Sequence, residues 1–256
     1  MNIKTHDAMR ALVSPSLVDE LAPRGVLRAG INLSNFLLVT GKASNGDPQG
    51  VAPDMAAAIA DTLGVGLALV PFTGPGLLAD AAADDVWDIG LIGAEPARAE
   101  KIAFSSAYVE IEATYLAKQE SKFAHAREVD APGVRIAVSR RTAYDLWLQR
   151  NLKNATLVHG EGFEGALSIF ADGGADVLAA LLPALLNDVQ KMPGTRILPG
   201  RFTAIQQAIG THKRHRAGAA FLQAFSQYAI NSGLAADLIA KHRVTGLSVA
   251  PPHETA

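Results

Sequence analysis

Arg98, in the stretch Trp87 to Tyr108, WDIGLIGAEPARAEKIAFSSAY, is the residue of this chain whose type and placement speak most directly of chemistry. It follows an apolar run and a Glu95-Pro96 turn, so its guanidinium lies just beyond the carboxyl end of a strand, where open α/β sheets bind small ligands. A planar fork of donors suits both oxygens of a carboxylate. A second cluster, Arg140-Arg141-Thr142, precedes a helical pattern, where a hydroxyl and orphan N–H groups can meet an anion. Arg141 either points outward or adds a second cation, and two arginines would suit a dianion or a bulkier acid. Asn32, Asn35 and Phe36 follow an earlier strand. The two amides can orient a ligand, and Phe36 is either ligand-facing wall or core. His159, Glu161 and Glu164 lie beyond another strand and are the candidates for a general acid or base.

The remaining motifs are mostly absences. There is no P-loop, no Gly-x-Gly-x-x-Gly between strand and helix, no Gly-x-Ser-x-Gly and no His-Glu-x-x-His. His212 and His215, in THKRHR, lack a third ligand nearby in sequence, so the segment is read as a solvated helix start and no metal or cofactor is expected. Asp54 is read as a favourable first-turn carboxylate, and Tyr144 and Trp147 as packing residues.

The elements that must position these residues follow from pattern. With 49% hydrophobic and 19% charged residues among 256, the chain can bury roughly three-quarters of its unfolded surface. A net charge of −2 with mixed signs offers no face for a polyanion, so nucleic acid is not an expected partner. Zero Cys removes disulfides and thiolate chemistry and fits either side of a bacterial inner membrane. No run approaches the ~20 apolar residues of a membrane span. The first 23 residues, with Asp7, Asp19 and Glu20, lack the apolar core of a secretory signal. The chain is therefore expected to be cytoplasmic if Met1 is the native start, and periplasmic if a leader was removed.

Short apolar runs alternate with helical ones, the mark of parallel βαβ units and an α/β fold. Strands are expected at Gly25–Asn32, Gly66–Pro71 and Asp88–Ile92, with a helix at Asp54–Leu63 ended by Gly64. A second set begins after Pro132: strand 134–139, helix 143–152, strand 155–159, helix 163–171 and strand 176–182. WDIGLIG and ADVLAAL echo each other, each opening with an Asp. Two like lobes follow, residues 1–115 with 208–256 and residues 116–207, with segments 112–118 and 202–211 as crossings. Two helices close the chain, one ending at Gly233 and one at LAADLIAKH. The tail APPHETA is expected to fray.

The stretch around Arg98 resembles the signature of bacterial solute-binding proteins of family 3, in which a strand is followed by Thr-Pro-Glu-Arg and then Phe-Ser-x-x-Tyr. Pro96, Arg98, Phe104, Ser105 and Tyr108 match; Glu95 stands where Thr is usual, and Ala97 where an acid is common. The resemblance implies a hinged two-lobe fold of periplasmic-binding-protein type, a ligand in an interlobe cleft, and an ABC permease as partner. It gives Arg98 the ligand carboxylate and Thr142 the opposite lobe's grip, with Arg141 in place of a customary glycine. The positions that hold an α-ammonium in the family fall on Gly93 and Leu181, neither of which has a side-chain acceptor. An unpaired ammonium would cost several kcal/mol. The expected ligand is thus a small carboxylate without an α-amino group, unless Glu95 holds the amine instead of forming an ion pair with Arg98 or a lysine. A non-catalytic binding protein, monomer or dimer, is the first reading. An enzyme on the same scaffold, resembling cyclohexadienyl dehydratase, and a cytoplasmic ligand sensor are the alternatives.

Overall fold

The computed structural model describes residues 3–252. The expectation for the C-terminal tail therefore falls largely outside the described residues. Two helices come first, α1 (Ile3–Arg10) and α2 (Pro15–Leu21). Ser14 starts α2 by accepting a hydrogen bond from Leu17 N at 3.3 Å, and Pro15 presets its first turn. The alternating pattern begins at β1 (Val26–Asn32), followed by a small hairpin of β2 (Gly41–Lys42) and β3 (Pro48–Gln49). Helix α3 (Val51–Leu63) ends at Gly64, whose φ of 71° is the left-handed conformation that glycine adopts without cost. Then come β4 (Gly66–Phe72), α4 (Pro75–Asp80), β5 (Ile89–Gly93), α5 (Pro96–Ala99) and β6 (Ile102–Phe104).

The chain divides into two units, residues 1–110 with 206–256 and residues 111–205. Strand β7 (Val109–Lys118) leads into the second unit and β12 (Thr203–His212) leads out of it. Between them lie β8 (Arg135–Ser139), α6 (Ala143–Asn151), β9 (Thr156–Gly160), α7 (Gly162–Ala171), β10 (Val177–Leu181), α8 (Leu182–Val189) and β11 (Thr195–Ile197). After β12 the first unit is completed by α9 (Arg216–Asn231), α10 (Leu234–Lys241) and β13 (Ser248–Val249). No helix of the described residues is long and apolar enough to cross a membrane.

In the first unit the strand order is β4-β1-β5-β12, with β1 parallel to both neighbours and β12 antiparallel to β5. In the second unit it is β9-β8-β10-β7, with β8 parallel to both neighbours and β7 antiparallel to β10. Both sheets start in the middle, step one way and then the other. Each thereby makes a crevice outside the carboxyl ends of its first and third parallel strands.

Both faces of the second sheet are covered, as parallel strands require. Ile136, Val138, Val177 and Ala179 pack under Tyr144 and Leu148 of α6, and Ala137, Leu178 and Ala180 pack with Ala166 and Phe170 of α7. Close approach of α7 depends on Gly160, where a Cβ would lie 2.1 Å from Ala166 N. In the first unit Trp87 is buried with Leu78 and Ile92, and its Nε1 donates to Leu78 O at 3.0 Å. His212, expected in a solvated helix start, is instead buried: it stacks on Trp87 at 5.0 Å, and its Nε2 lies 2.8 Å from Trp87 O. The histidine ends a strand, not a loop, and an apolar ring partner outweighs the basic neighbours in sequence.

Candidate functional site

Arg98 sits at the crevice of the first unit. Strand β5 is buried along its whole length and delivers the chain to Glu95, the extended N-cap of α5. Pro96 fixes the first position of that single turn, and Arg98 N and Ala99 N both close on Glu95 O at 2.9 Å. The Arg98 side chain folds back toward the strand end, and its Nη1 donates to Gly93 O at 2.7 Å. Arg98 is only 6% exposed, and Glu95 is buried in the same turn. A guanidinium stays charged under these conditions, and one donor of its fork is held in place by the strand itself.

The neighbouring matches to the signature serve the scaffold. Ser105 donates to Ser106 O at 2.7 Å and accepts from Ile209 N at 3.1 Å, lacing the segment to β12. Tyr108 is fully buried, its phenol oxygen has no hydrogen-bond partner, and burial raises its pKa.

On the other side of the crevice, Asn32 Oδ1 accepts from Ser34 N at 3.2 Å and Ser34 Oγ at 2.8 Å, and Asn35 Oδ1 accepts from Leu37 N at 3.2 Å. Their carbonyls are spent on turns, so the amide N–H groups are what they can offer a ligand. Phe36 is 44% exposed and is not core. Asp54 does more than favour a helix start. Its carboxylate takes Lys241 Nζ at 2.7 Å and His242 Nε2 at 2.6 Å, tying α3 to the end of α10. Burial opposes its ionisation, but the hydrogen bonds from Lys241 and His242 outweigh it and its pKa is lowered.

In the second unit the matching turn is built around a helix cap. Thr142 is the N-cap of α6; its Oγ1 accepts from Asp145 N at 3.2 Å and donates to Ser139 O at 2.9 Å. The hydroxyl proton is therefore committed to the scaffold, and the backbone N–H groups of the first turn are what this corner offers an anion. Arg141 has φ of 62°, the left-handed region, which is why glycine suits this position. Its N–H donates to Asp145 Oδ2 at 2.7 Å, and its side chain belongs to an exposed residue. Arg140 is held by Glu161 at 2.9 Å. Tyr144 packs in the core, where burial pushes its phenol up to about 12 against the pull of Thr142 and Ser139. Trp147 lies 5.6 Å from Phe202, a packing contact.

Leu181 ends β10 as the N-cap of α8, packs against the α6-side core, and gives its helix no side-chain cap. The strand expected to run through residue 182 thus stops one residue earlier, where Pro183 starts a helix.

Sequence reasoning missed Asp145. This carboxylate is completely buried and accepts from Arg141 N, from Gln149 Nε2 at 2.9 Å and from His159 Nε2 at 2.8 Å. The spacing Thr142-x-x-Asp145 is a capping-box pattern and could have found it.

Two α/β units with the same winding, joined by two long strands and each carrying polar groups at its crevice, define a two-lobe periplasmic-binding-protein-like protein. Residues 32–243 match the family described as bacterial extracellular solute-binding proteins, family 3, and the chain belongs to that family. Among curated proteins it is similar to a cyclohexadienyl dehydratase of Pseudomonas aeruginosa, 30% identical over 171 residues, which are 64% of this chain and 62% of the relative. The chain thus spans less than two thirds of that relative's length. Among solved structures it resembles a mutant of ArgBP from T. maritima, with 23% identity, a TM-score of 0.69, and coverage of 90% of this chain and 100% of the other. It also resembles an ancestral amino acid-binding protein described as a precursor of cyclohexadienyl dehydratase, with 24% identity, a TM-score of 0.68, and coverage of 88% and 98%.

Proposed function

We propose that this chain binds a small organic carboxylate without an α-amino group, as the solute-binding component of an ABC-type transporter. The observation that carries the reading is Arg98: a buried guanidinium at the carboxyl end of β5, oriented by the Gly93 carbonyl 2.7 Å away. Arg98 offers a carboxylate its guanidinium fork, and the head of α6 offers an anion its backbone N–H groups. Two observations speak against an α-amino group. Gly93 has no side chain and its carbonyl already serves Arg98, and Leu181 is apolar and packs against the α6-side core. A carboxylate or hydroxyl at those positions would be needed to stabilise an ammonium.

The test is a thermal-shift screen of amino acids against their 2-oxo, 2-hydroxy and des-amino counterparts, with aromatic acids and dicarboxylates included. An acid at about a hundred times its Kd stabilises the fold by ~2.7 kcal/mol. Des-amino acids should stabilise the protein, and Arg98→Ala should abolish the shift. Stabilisation by amino acids alone would overturn the exclusion of the amine, and an unchanged shift in Arg98→Ala would overturn the carboxylate grip. A second reading, catalysis on the same scaffold, is favoured by the 30% identity to a cyclohexadienyl dehydratase. Mass spectrometry of the screened acids separates the two, since an enzyme consumes its ligand.

A further inference from the structure

We propose that His159 is a ligand-recognising residue of the second unit, with Asp145 as its positioning residue, and that it makes anion binding strengthen as pH falls. The proposal rests on the carboxylate reading above. His159 lies in the last turn of the β9 ladder, level with Val138 of β8, and so on the rim from which Arg140, Arg141 and Thr142 also emerge. Its side chain is 24% exposed while the Asp145 carboxylate beneath it is fully buried.

A carboxylate accepts and cannot donate, so the proton on the imidazole must sit at Nε2, the atom 2.8 Å from Asp145 Oδ1. Nδ1 is then the nitrogen that Asp145 does not hold. In the neutral ring it is an acceptor, and in the cationic ring a donor. A buried carboxylate holding one nitrogen of an imidazole fixes both its tautomer and its orientation, and that is the usual way proteins aim the other nitrogen at a ligand.

The same Asp145 accepts from Arg141 N at 2.7 Å. It therefore ties the aim of the ring to the left-handed turn that presents the first N–H groups of α6. The charged and titratable groups around the ring are few. Helix α6 contributes Asp145 and the phenol of Tyr144; the turn before it contributes Arg140 and Arg141; the turn after β9 contributes Glu161, which is engaged with Arg140 at 2.9 Å, and α7 carries Glu164 in its first turn. Arg140 is paired with Glu161, so Arg141 is the remaining cation of that turn. Protonation of His159 adds a donor and a charge beside the head of α6.

The experiment is calorimetric titration of succinate, 2-oxoglutarate, phenylpyruvate and benzoate at about pH 5.5 and about pH 8, on either side of the range in which an imidazole changes charge. The titrations use the full chain and its His159→Gln, Asp145→Asn and Arg98→Ala variants. The native protein should bind at least one acid about tenfold more tightly at the lower pH. It should also take up a proton on binding, read from repeats in buffers of different ionisation enthalpy. His159→Gln should lose both the pH dependence and the proton uptake. Asp145→Asn should weaken the pH dependence. If Asp145→Asn fails to fold, His159→Gln alone decides.

Retained pH dependence in His159→Gln, or none in the native protein, overturns the proposal and leaves the carboxylate reading standing, provided that Arg98→Ala still loses binding. If no acid binds, or Arg98→Ala binds as well as the native chain, the carboxylate reading itself falls and takes this proposal with it.

Discussion

The two units run the same winding twice, and they differ in which turn carries the chemistry. At the amino ends of the strands the repetition extends to individual atoms. In the first unit Arg28 N donates to Asp88 Oδ2 at 2.8 Å, Asp88 N donates back to Arg28 O at 2.8 Å, and the guanidinium closes on the carboxylate at 2.6 Å. In the second, Arg135 N donates to Asp176 Oδ2 at 2.8 Å, Asp176 N to Arg135 O at 2.9 Å, and the guanidinium reaches the carboxylate at 3.2 Å. At the carboxyl ends the units diverge. The first places a buried cation after its third strand, on a single helical turn. The second leaves that position apolar at Leu181 and concentrates its polar groups after its first strand, around the cap of α6. A shared scaffold thus fixes where a ligand can sit, while each turn sets what is offered there.

The matched clasps give the largest expected effect. Asp88 is 2% exposed and Asp176 is 40% exposed at the side chain. Asp88→Asn leaves the half-buried Arg28 facing a neutral amide, a loss of about 2–4 kcal/mol once its partial solvation is discounted. Asp176→Asn should cost no more than about 1 kcal/mol, the ordinary value of an exposed pair. Urea unfolding of the two variants checks the difference. Equal losses would mean that the clasps work through their backbone bonds alone and that burial of the carboxylate adds nothing.

A smaller effect is expected at the turn where the units differ most. Leu181→Asp places a carboxylate at the uncapped head of α8. Capping should return up to about 1 kcal/mol against the apolar packing that Leu181 gives up at the α6-side core. The substitution should also raise affinity for α-amino acids by about tenfold or more, the worth of one charge-assisted hydrogen bond. The first effect is read by thermal melting and the second by titration with amino acids. A folded variant with no gain in amino-acid affinity would show that Leu181 does not face the amine and would remove half of the argument against an amino-acid ligand.

Both outcomes bear on what the sequence can disclose. The long elements were legible because their apolar spacing and stop signals are local. Helix α3 ends at Gly64 as its sequence implies, and β1, β4, β8 and β9 fall within a residue or two of expectation. Arg98 was legible for the same reason, since a strand, a proline and an arginine lie within a few positions. Short helices were not. Helix α5 is four residues long and has no period to read, and α8 follows β10 in one apolar run, where only Pro183 marks the change. Asp145 and His159 lie 14 positions apart, and their contact depends on α6 settling over the ladder of β8 and β9. No local pattern states that. His212 was misread because its burial is decided by Trp87, 125 positions away in sequence.

The smallest expected effect tests the one place where the second unit holds a residue against its preference. Arg141 adopts φ of 62° at an exposed position, with its N–H anchored on Asp145. A residue with a Cβ in this region costs about 1–2 kcal/mol, while glycine costs about 0.5–1 kcal/mol in the unfolded chain. Arg141→Gly should therefore stabilise the protein by up to about 1 kcal/mol, measured by urea unfolding. If Arg141 also contributes its charge to an anion, the same variant should lose affinity as it gains stability. The opposite movement of the two quantities separates a ligand-facing arginine from an outward one. A gain in stability with unchanged affinity would place the anion site of this unit on the backbone of α6 and on His159 alone.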